Sequence, residues 1–317
     1  MTALSIGIVM DPIADITIKK DTSFAMLLEA QRRGYTIHYM EMADLYLLEG
    51  QARARSRLLM VEEDPANWYQ FGQEQDIALG ELDAILMRKD PPFDTEYIYA
   101  TYMLELAEQQ GCLIVNKPQS LRDANEKLYT SWFSQYTPKT LVSRDSARLK
   151  AFWQQHQDVI IKPLDGMGGA SIFRLKADDP NVGVVLETLT AHNSRYAMAQ
   201  QFVPAISQGD KRILMVNGEP IPYVLARIPA KGETRGNLAA GGRGEVRPLS
   251  DTDRAIAEAV GPTLKAKGLI FVGLDIIGDK LTEINVTSPT CVREIEAEAP
   301  VHITGQLFDA IEQLLGQ

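Results

Sequence analysis

The sequence is poor in the residues that mark several large classes of protein. Among 317 residues there are two cysteines, Cys112 and Cys291, far apart in the chain. They offer no disulfide framework and suit a reducing cytosol. The four histidines, His38, His156, His192 and His302, share neither a metal-ligand spacing nor a neighbourhood, which argues against a zinc site. No stretch approaches roughly eighteen uninterrupted apolar residues, so nothing reads as a membrane span. The run from Thr2 to Asp11 has no basic leader and no cleavage pattern, and reads as a first core strand rather than a signal peptide. Positive charge is also in deficit: 32 Lys and Arg against 42 Asp and Glu leave a net charge of −10. Such a chain has no general basic field with which to displace counterions, so a nucleic-acid partner is excluded. A polyphosphate would be repelled by the average surface, so any nucleotide site needs its own concentration of Lys and Arg. There is no Gly-x-Ser-x-Gly elbow and no favoured Cys–His pairing.

What remains is a globular chain, long enough for two or three small domains. The first third alternates strand-like segments (residues 5–11, 36–42, 83–87 and 112–116) with helix-like ones (22–33 and 97–109). That repetition predicts a parallel, doubly wound sheet, with ligands at the carboxyl ends of its strands. Asp11, Arg88 and Asn116 fall at those ends. Residues 51–61 read as a hairpin with Arg53, Arg55 and Arg57 on one solvated face. After Ser120 the character changes to a strand-rich α+β pattern. A helix is expected over 121–134, another over 148–156, and strands over 139–143, 159–163, 170–175, 196–203, 212–216 and 221–228. Asn217-Gly218 signals a hairpin turn.

Three constellations carry chemistry. The first is Asp165-Gly166-Met167-Gly168-Gly169-Ala170-Ser171, directly after the strand-like run that contains Lys162. Glycines let backbone N–H groups approach a phosphate, and the lysine adds charge beside them. The run is neither a P-loop nor the dinucleotide fingerprint. The second is Asp275 with Glu283 and Asn285. The last two share a strand face, and a three-residue turn at 278–280 would bring Asp275 opposite Glu283. Three oxygen ligands without nitrogen or sulfur describe a hard-cation site, Mg²⁺ rather than zinc. The third is positive: Lys127, Lys162, Arg212, Arg227, Arg235 and Arg243, the last two in a glycine-rich loop over 229–247 that reads as a mobile lid. Together these sets describe a nucleotide held by lysines and a glycine turn beside a magnesium ion. Cys291 reads as a small buried residue.

These residues, in this order, resemble the ATP-grasp superfamily. Val9-Met10-Asp11-Pro12, the segments 87–94, 116–118 and 234–242, and the run 283–290 narrow the likeness to the bacterial glutathione synthetases. The resemblance covers nearly the whole chain and implies an ATP-grasp fold behind an N-terminal doubly wound domain. It implies units at 1–122, 123–203 and 204–317. It implies a cytoplasmic ligase that joins γ-glutamylcysteine to glycine through an acyl phosphate, using ATP with Mg²⁺ (or Mn²⁺), and a homotetramer. By position, Lys127 and Lys162 would touch the nucleotide phosphates, and Gly166, Met167, Gly168 and Gly169 would cover them. Gln200, Gln201, Phe202 and Val203 would hold the adenine and Asp210 the ribose. Arg212, Arg227 and Arg235 would steady the transferring phosphoryl group. Arg88 would pair with a substrate carboxylate, with Asp11, Ser288 and Pro289 around the peptide. Asp275, Glu283 and Asn285 would hold the metal. No residue stands out as a general base for glycine. Other readings are a grasp ligase with a different acceptor, a nucleotide-binding module without turnover, and, more distantly, a nicotinamide dehydrogenase.

Overall fold

The computed structural model describes residues 3–166, 168–233, 235–236, 238 and 241–316. Met167, placed by the sequence in the phosphate cover, lies outside them, as do Thr234, Asn237, Ala239 and Ala240 of the 234–242 motif.

The first third builds a seven-stranded sheet from β1 (Ser5–Val9), β2 (Thr36–Met40), β3 (Leu45–Leu48), β4 (Gln51–Val61), β5 (Tyr69–Ala78), β6 (Ala84–Met87) and β7 (Leu113–Val115). β2, β1, β6 and β7 are parallel neighbours, as the alternation predicts. The sheet is nevertheless mixed, because β4 runs antiparallel to β2, β3 and β5. Residues 51–61 form one strand rather than a hairpin. They contain no Gly, Pro or Asn to turn on, and their alternation buries Ala52, Ala54 and Ser56. The three arginines do share the opposite face, pairing with Asp76, Asp44 and Glu41. The Arg57 guanidinium also lies 4.0 Å from the Phe71 ring centre. Neighbours flank β4 on both sides, so this face is not a sheet edge.

Helices α1 (Thr22–Arg32) and α2 (Thr95–Gln109) start where Asp21 and Asp94 accept the backbone N–H of Phe24 and Tyr97 at 2.6 and 2.9 Å. The helix expected over 121–134 is broken. α3 (Pro118–Asp123) stops, and a 3₁₀ segment runs from Leu128 to Tyr136. Asn125 causes the break: its side-chain oxygen captures the N–H groups of Lys127 and Leu128 at 3.1 and 2.8 Å, a competing local bond.

The middle of the chain forms a four-stranded antiparallel sheet, β10-β9-β11-β8, from β8 (Thr140–Ser143), β9 (Asp158–Pro163), β10 (Phe173–Lys176) and β11 (Ala197–Gln201). Helices α4 (Ser146–His156) and α5 (Val182–Leu189) cover it. Their own small core includes Leu149, Ile161, Leu175 and Leu186.

The last part forms a five-stranded antiparallel sheet, β14-β13-β12-β15-β16. Its strands are β12 (Asp210–Val216), β13 (Glu219–Ile228), β14 (Arg243–Pro248), β15 (Phe271–Ile277) and β16 (Lys280–Asn285). Asn217 and Gly218 both have positive φ, +49° and +86°, as the turn between β12 and β13 requires. β14 corrects the expected loop: residues 243–247 belong to a strand paired with β13, not to a lid. The turn at 278–280 is also one residue shorter than expected, since Lys280 pairs with Ile277. A register slip after Asp275 restores its pairing with Glu283.

Helix α6 (Asp251–Ala266) packs on the third sheet, and α7 (Val292–Glu298) and α8 (Ile303–Leu314) pack on α1. Two apolar clusters each combine residues of the first and third sheets, whereas the second sheet keeps its own.

Candidate active site

Antiparallel register builds the centre of the site. Arg212 stands opposite Asp275, Asp210 opposite Arg227, and Asp275 opposite Glu283. Alternation along β12, β15 and β16 therefore collects these side chains on one sheet face. Arg212 donates from Nε and Nη2 to the two Asp275 oxygens at 2.5 and 3.0 Å. Arg227 Nη2 reaches Asp210 Oδ2 at 2.5 Å and Asp275 Oδ2 at 2.8 Å. Asn285 Nδ2 donates to Asp275 Oδ2 at 3.3 Å. Burial alone would raise the pKa of Asp275, but the Arg212 and Arg227 guanidiniums outweigh it and hold the carboxyl well below the usual range. Asp210 goes the other way. Burial pushes it up to about 7, against the pull of Arg227 and with the repulsion of Asp275 and Glu283. Its Oδ1 is buried without a hydrogen-bond partner among the described residues.

The two lysines come from elsewhere. Lys162 projects from β9 and Lys127 starts the 3₁₀ segment, and both approach Glu283 Oε1, at 3.7 and 3.8 Å. Lys127 also donates to the Gly166 carbonyl at 2.9 Å and to Glu126. Burial lowers the Lys162 pKa. On Lys127 the Glu283 and Glu126 carboxylates overcome burial and raise it.

Between the second and third sheets lies a cleft lined by Lys127, Lys162, Gly166, Gly168, Gly169 and Arg235 on its polar side. Gln200, Gln201, Phe202 and Val203 at the end of β11, with Asp210, close its other side. The glycine turn links β9 and β10 and sits on no helix. Gly166, Gly168 and Gly169 have φ of +96°, +66° and +79°, a path that side chains resist and that exposes backbone N–H groups. Arg235 Nη1 reaches the Gly169 carbonyl at 3.4 Å, so the glycine-rich loop touches the glycine turn. Gln200 is buried and donates to Thr140 Oγ1 at 3.1 Å. The Phe202 ring carries the Arg174 guanidinium at 3.4 Å.

A second cleft adjoins the first, and Gly168 and Glu283 line both. Arg212, Arg227, Asp275 and Asn285 line it on one side, Ser288 and Pro289 on the other. Two expected substrate contacts sit one layer back. Arg88 is buried and donates to Ser23 Oγ at 3.1 Å and to the Pro289 carbonyl at 3.0 Å. Asp11 pairs with Lys89 at 2.8 Å and accepts from the Asp90 N–H at 3.0 Å. Neither lines the cleft; both hold segments that do, and Ser288 donates to Asp90. Residues that sequence reasoning missed are Glu126, Asp90 and Glu294, all lining the second cleft. The acid directly before Lys127 was a visible signal for Glu126; a glutamate early in a short helix gives none for Glu294.

The oxygen-only donor set suits a hard cation. Glu283 and Asn285 are two apart on one strand face, while the Asp275 oxygens already accept from two guanidiniums. Among the described residues no group of three or more His, Cys, Asp or Glu is close enough to hold a metal by itself. Glu283 and Asn285 would be the protein's direct ligands for such an ion, with the Asp275 carboxylate beside them already engaged by two guanidiniums.

Two family profiles match: the prokaryotic glutathione synthetase N-terminal domain over residues 4–122 and the prokaryotic glutathione synthetase ATP-grasp domain over residues 126–300. The glutathione synthetase of Citrobacter rodentium is 73% identical over 312 residues, 98% of this chain and 99% of that protein. That of Escherichia coli strain K12 is 70% identical over 314 residues, 99% of each chain. Among solved structures, D-cycloserine synthetase DcsG aligns with a TM-score of 0.67 at 15% identity, covering 98% of this chain and 100% of that one. The ATP-grasp ligase PsnB, complexed with minimal precursor, Mg and ADP, aligns at 0.64 and 17%, covering 98% of both. These two share the fold alone, the expected ATP-grasp architecture. The full-length identity supports an ATP-dependent ligase with glutathione synthetase function. The chain belongs to the prokaryotic glutathione synthetase family.

Proposed function

We propose that the two adjoining clefts bring ATP and γ-glutamylcysteine together and that glycine then completes the ligation. The observation that carries this reading is their shared wall: Gly168 and Glu283 line both, and Arg212 and Arg227 line the second. The nucleotide lies in the first cleft, its phosphates against Lys127, Lys162, the 166–169 turn and Arg235. Its base lies against residues 200–203 and its ribose against the unpartnered Asp210 oxygen. The cysteinyl carboxylate of the dipeptide reaches the junction and attacks the γ-phosphorus, ADP leaves, and an acyl phosphate forms. Arg212, Arg227 and Arg235 balance the charge of that transfer. The neutral amine of glycine attacks the acyl carbon, phosphate departs, and the amine proton is released. Water would hydrolyse the acyl phosphate, so a loop that covers the site has a chemical purpose. A divalent cation, Mg²⁺ or Mn²⁺, held by Glu283 and Asn285 and reached by Asp275, would shield the phosphates. Arg88 and Asp11 serve the peptide site by bracing its wall.

The same reading divides the chain into units at 1–122, 123–203 and 204–317. It assigns the protein to the cytoplasm as a homotetramer. Among the described residues no helix is long and apolar enough to cross a membrane.

The test is an omission assay for ADP release. Release is expected only with ATP, a divalent cation, γ-glutamylcysteine and glycine all present. Equal turnover without glycine, or none with the full set, overturns the assignment.

A further inference from the structure

The second cleft is also lined by Thr17, Lys20, Asp21 and Glu294, from a wall outside the β12–β16 sheet. Glu294 lies in the first turn of α7, just after Cys291, whose left-handed backbone (φ +88°) turns the chain into that helix. One carboxylate oxygen, Oε2, is buried and has no hydrogen-bond partner among the described residues. A buried acceptor left unmet costs the protein its desolvation. Burial accordingly raises the Glu294 pKa, with a bond from its own backbone N–H and the charges of Lys20 and Arg212 pulling the other way. Other acids nearby are already committed. Asp21 caps α1, Asp90 accepts from Ser288, and Glu296 accepts from the Ile303 N–H at 2.6 Å. Glu294 Oε2 alone on this wall is buried and unmet, in a cleft that the preceding section assigns to the dipeptide.

Resting on that assignment, we propose that Glu294 is a specificity-determining residue that binds the free α-ammonium group of the γ-glutamyl end. The dipeptide carries its reacting carboxylate at one end and an amino-acid head at the other. With the carboxylate at Arg212 and Arg227, the head points away from the acyl centre. Glu294 meets its ammonium and Lys20, on the same wall, its carboxylate. The ammonium of glycine is the weaker match. That amine must be neutral to attack, and a carboxylate partner would hold its proton in place.

The experiment compares γ-glutamylcysteine with N-glutarylcysteine, the same molecule without the amino group, on wild type, Glu294→Gln and Glu294→Asp. In wild type, loss of the amino group should lower kcat/KM by about 30-fold or more, the scale of a charge-assisted bond to a buried partner. Glu294→Gln should lower kcat/KM for γ-glutamylcysteine by a similar factor, leave the KM values for ATP and glycine unchanged, and bring the two dipeptides within about threefold of each other. Glu294→Asp should restore part of the discrimination. Unchanged KM for ATP shows that the variant is folded. Turnover with discrimination intact in Glu294→Gln overturns the proposal, as does a shift confined to the KM for glycine. Wild type that makes no ADP with γ-glutamylcysteine and glycine overturns the substrate assignment itself.

Discussion

Arg212 and Asp275 face each other across β12 and β15, joined by two bonds of 2.5 and 3.0 Å, and both are nearly buried. Arg227 leans on the same carboxylate from the far side of β12. One carboxylate thus accepts from two guanidiniums, and Arg227 also pairs with Asp210. Under the proposed function, a triphosphate and a cation would give the arginines a new anion and the acid a new cation. The ion pairs hold these side chains in order on the sheet face.

Asp275→Asn should therefore be costly on two counts. Removing one partner of a buried pair leaves uncompensated charge, typically ~3–5 kcal/mol of lost stability. Urea unfolding should report that loss, and kcat should fall by about 10²-fold or more. An unfolding midpoint close to wild type would show that Arg212 and Arg227 find another counter-charge.

Arg88→Ala tests the wall of the peptide site. It removes the donors to Ser23 Oγ and the Pro289 carbonyl, and each buried acceptor so orphaned costs about 1–3 kcal/mol. KM for the dipeptide should rise by roughly tenfold while ATP binding, followed by calorimetry, stays near wild type. Loss of ATP affinity would place Arg88 in the nucleotide site instead.

Gly236→Ala probes the contact of the glycine-rich loop with the third sheet. A Cβ there would lie 2.4 Å from the Arg227 carbonyl oxygen and 3.0 Å from the Asp210 Cβ. The loop would have to lift away from the pair that borders the ribose position. A several-fold higher KM for ATP is expected, with an unchanged melting temperature because the position lies outside every strand and helix. Normal ATP kinetics would show that the loop need not sit this close.

Asp210 gives a pH dependence with a definite sign. Its pKa is raised, from the ordinary carboxylate value to about 7. Between those values the folded protein holds a proton that the unfolded chain does not. The stability due to the neutral acid is present at low pH and is lost as the pH rises towards 7. In nucleotide-free protein, Asp210→Asn should reduce the fall in melting temperature between pH 5 and pH 8. Parallel curves for the two proteins would show that Asp210 is already ionised at pH 5.

Much of the site was legible because strands carry it. Period two puts Glu283 and Asn285 on one face, and Asn217-Gly218 marks its turn without ambiguity. The paired position of Asp275 was right although the turn was a residue shorter, because the register slip compensates. The misses share another cause, side chains acting through space. Asn125 breaks a periodic helix with its own amide. Arg88 and Asp11 stand at strand ends, as substrate ligands would, yet their partners come from Ser23, Pro289 and Lys89. β14 was hidden because the glycines around it dilute the strand signal.

Asn116, at the end of β7, donates to the carbonyls of Phe271 and Val286 at 2.8 and 2.7 Å and accepts from the Phe271 N–H at 2.8 Å. It rivets the entrance and exit of the β15–β16 hairpin to the first sheet. The two large apolar clusters reinforce that seam, since each contains residues from both sheets. The small sheet has its own core, and the Asn125 amide reaches the Leu164 carbonyl just beyond β9 at 3.1 Å. The first and third sheets are thus one block, and the second sheet stands beside it with a core of its own. That block carries Asp275, Glu283 and Asn285 together with Ser288 and Pro289. Lys162 and the glycine turn belong to the smaller sheet, so under the proposed function a shift of that sheet would carry positive charge towards a face that is already set.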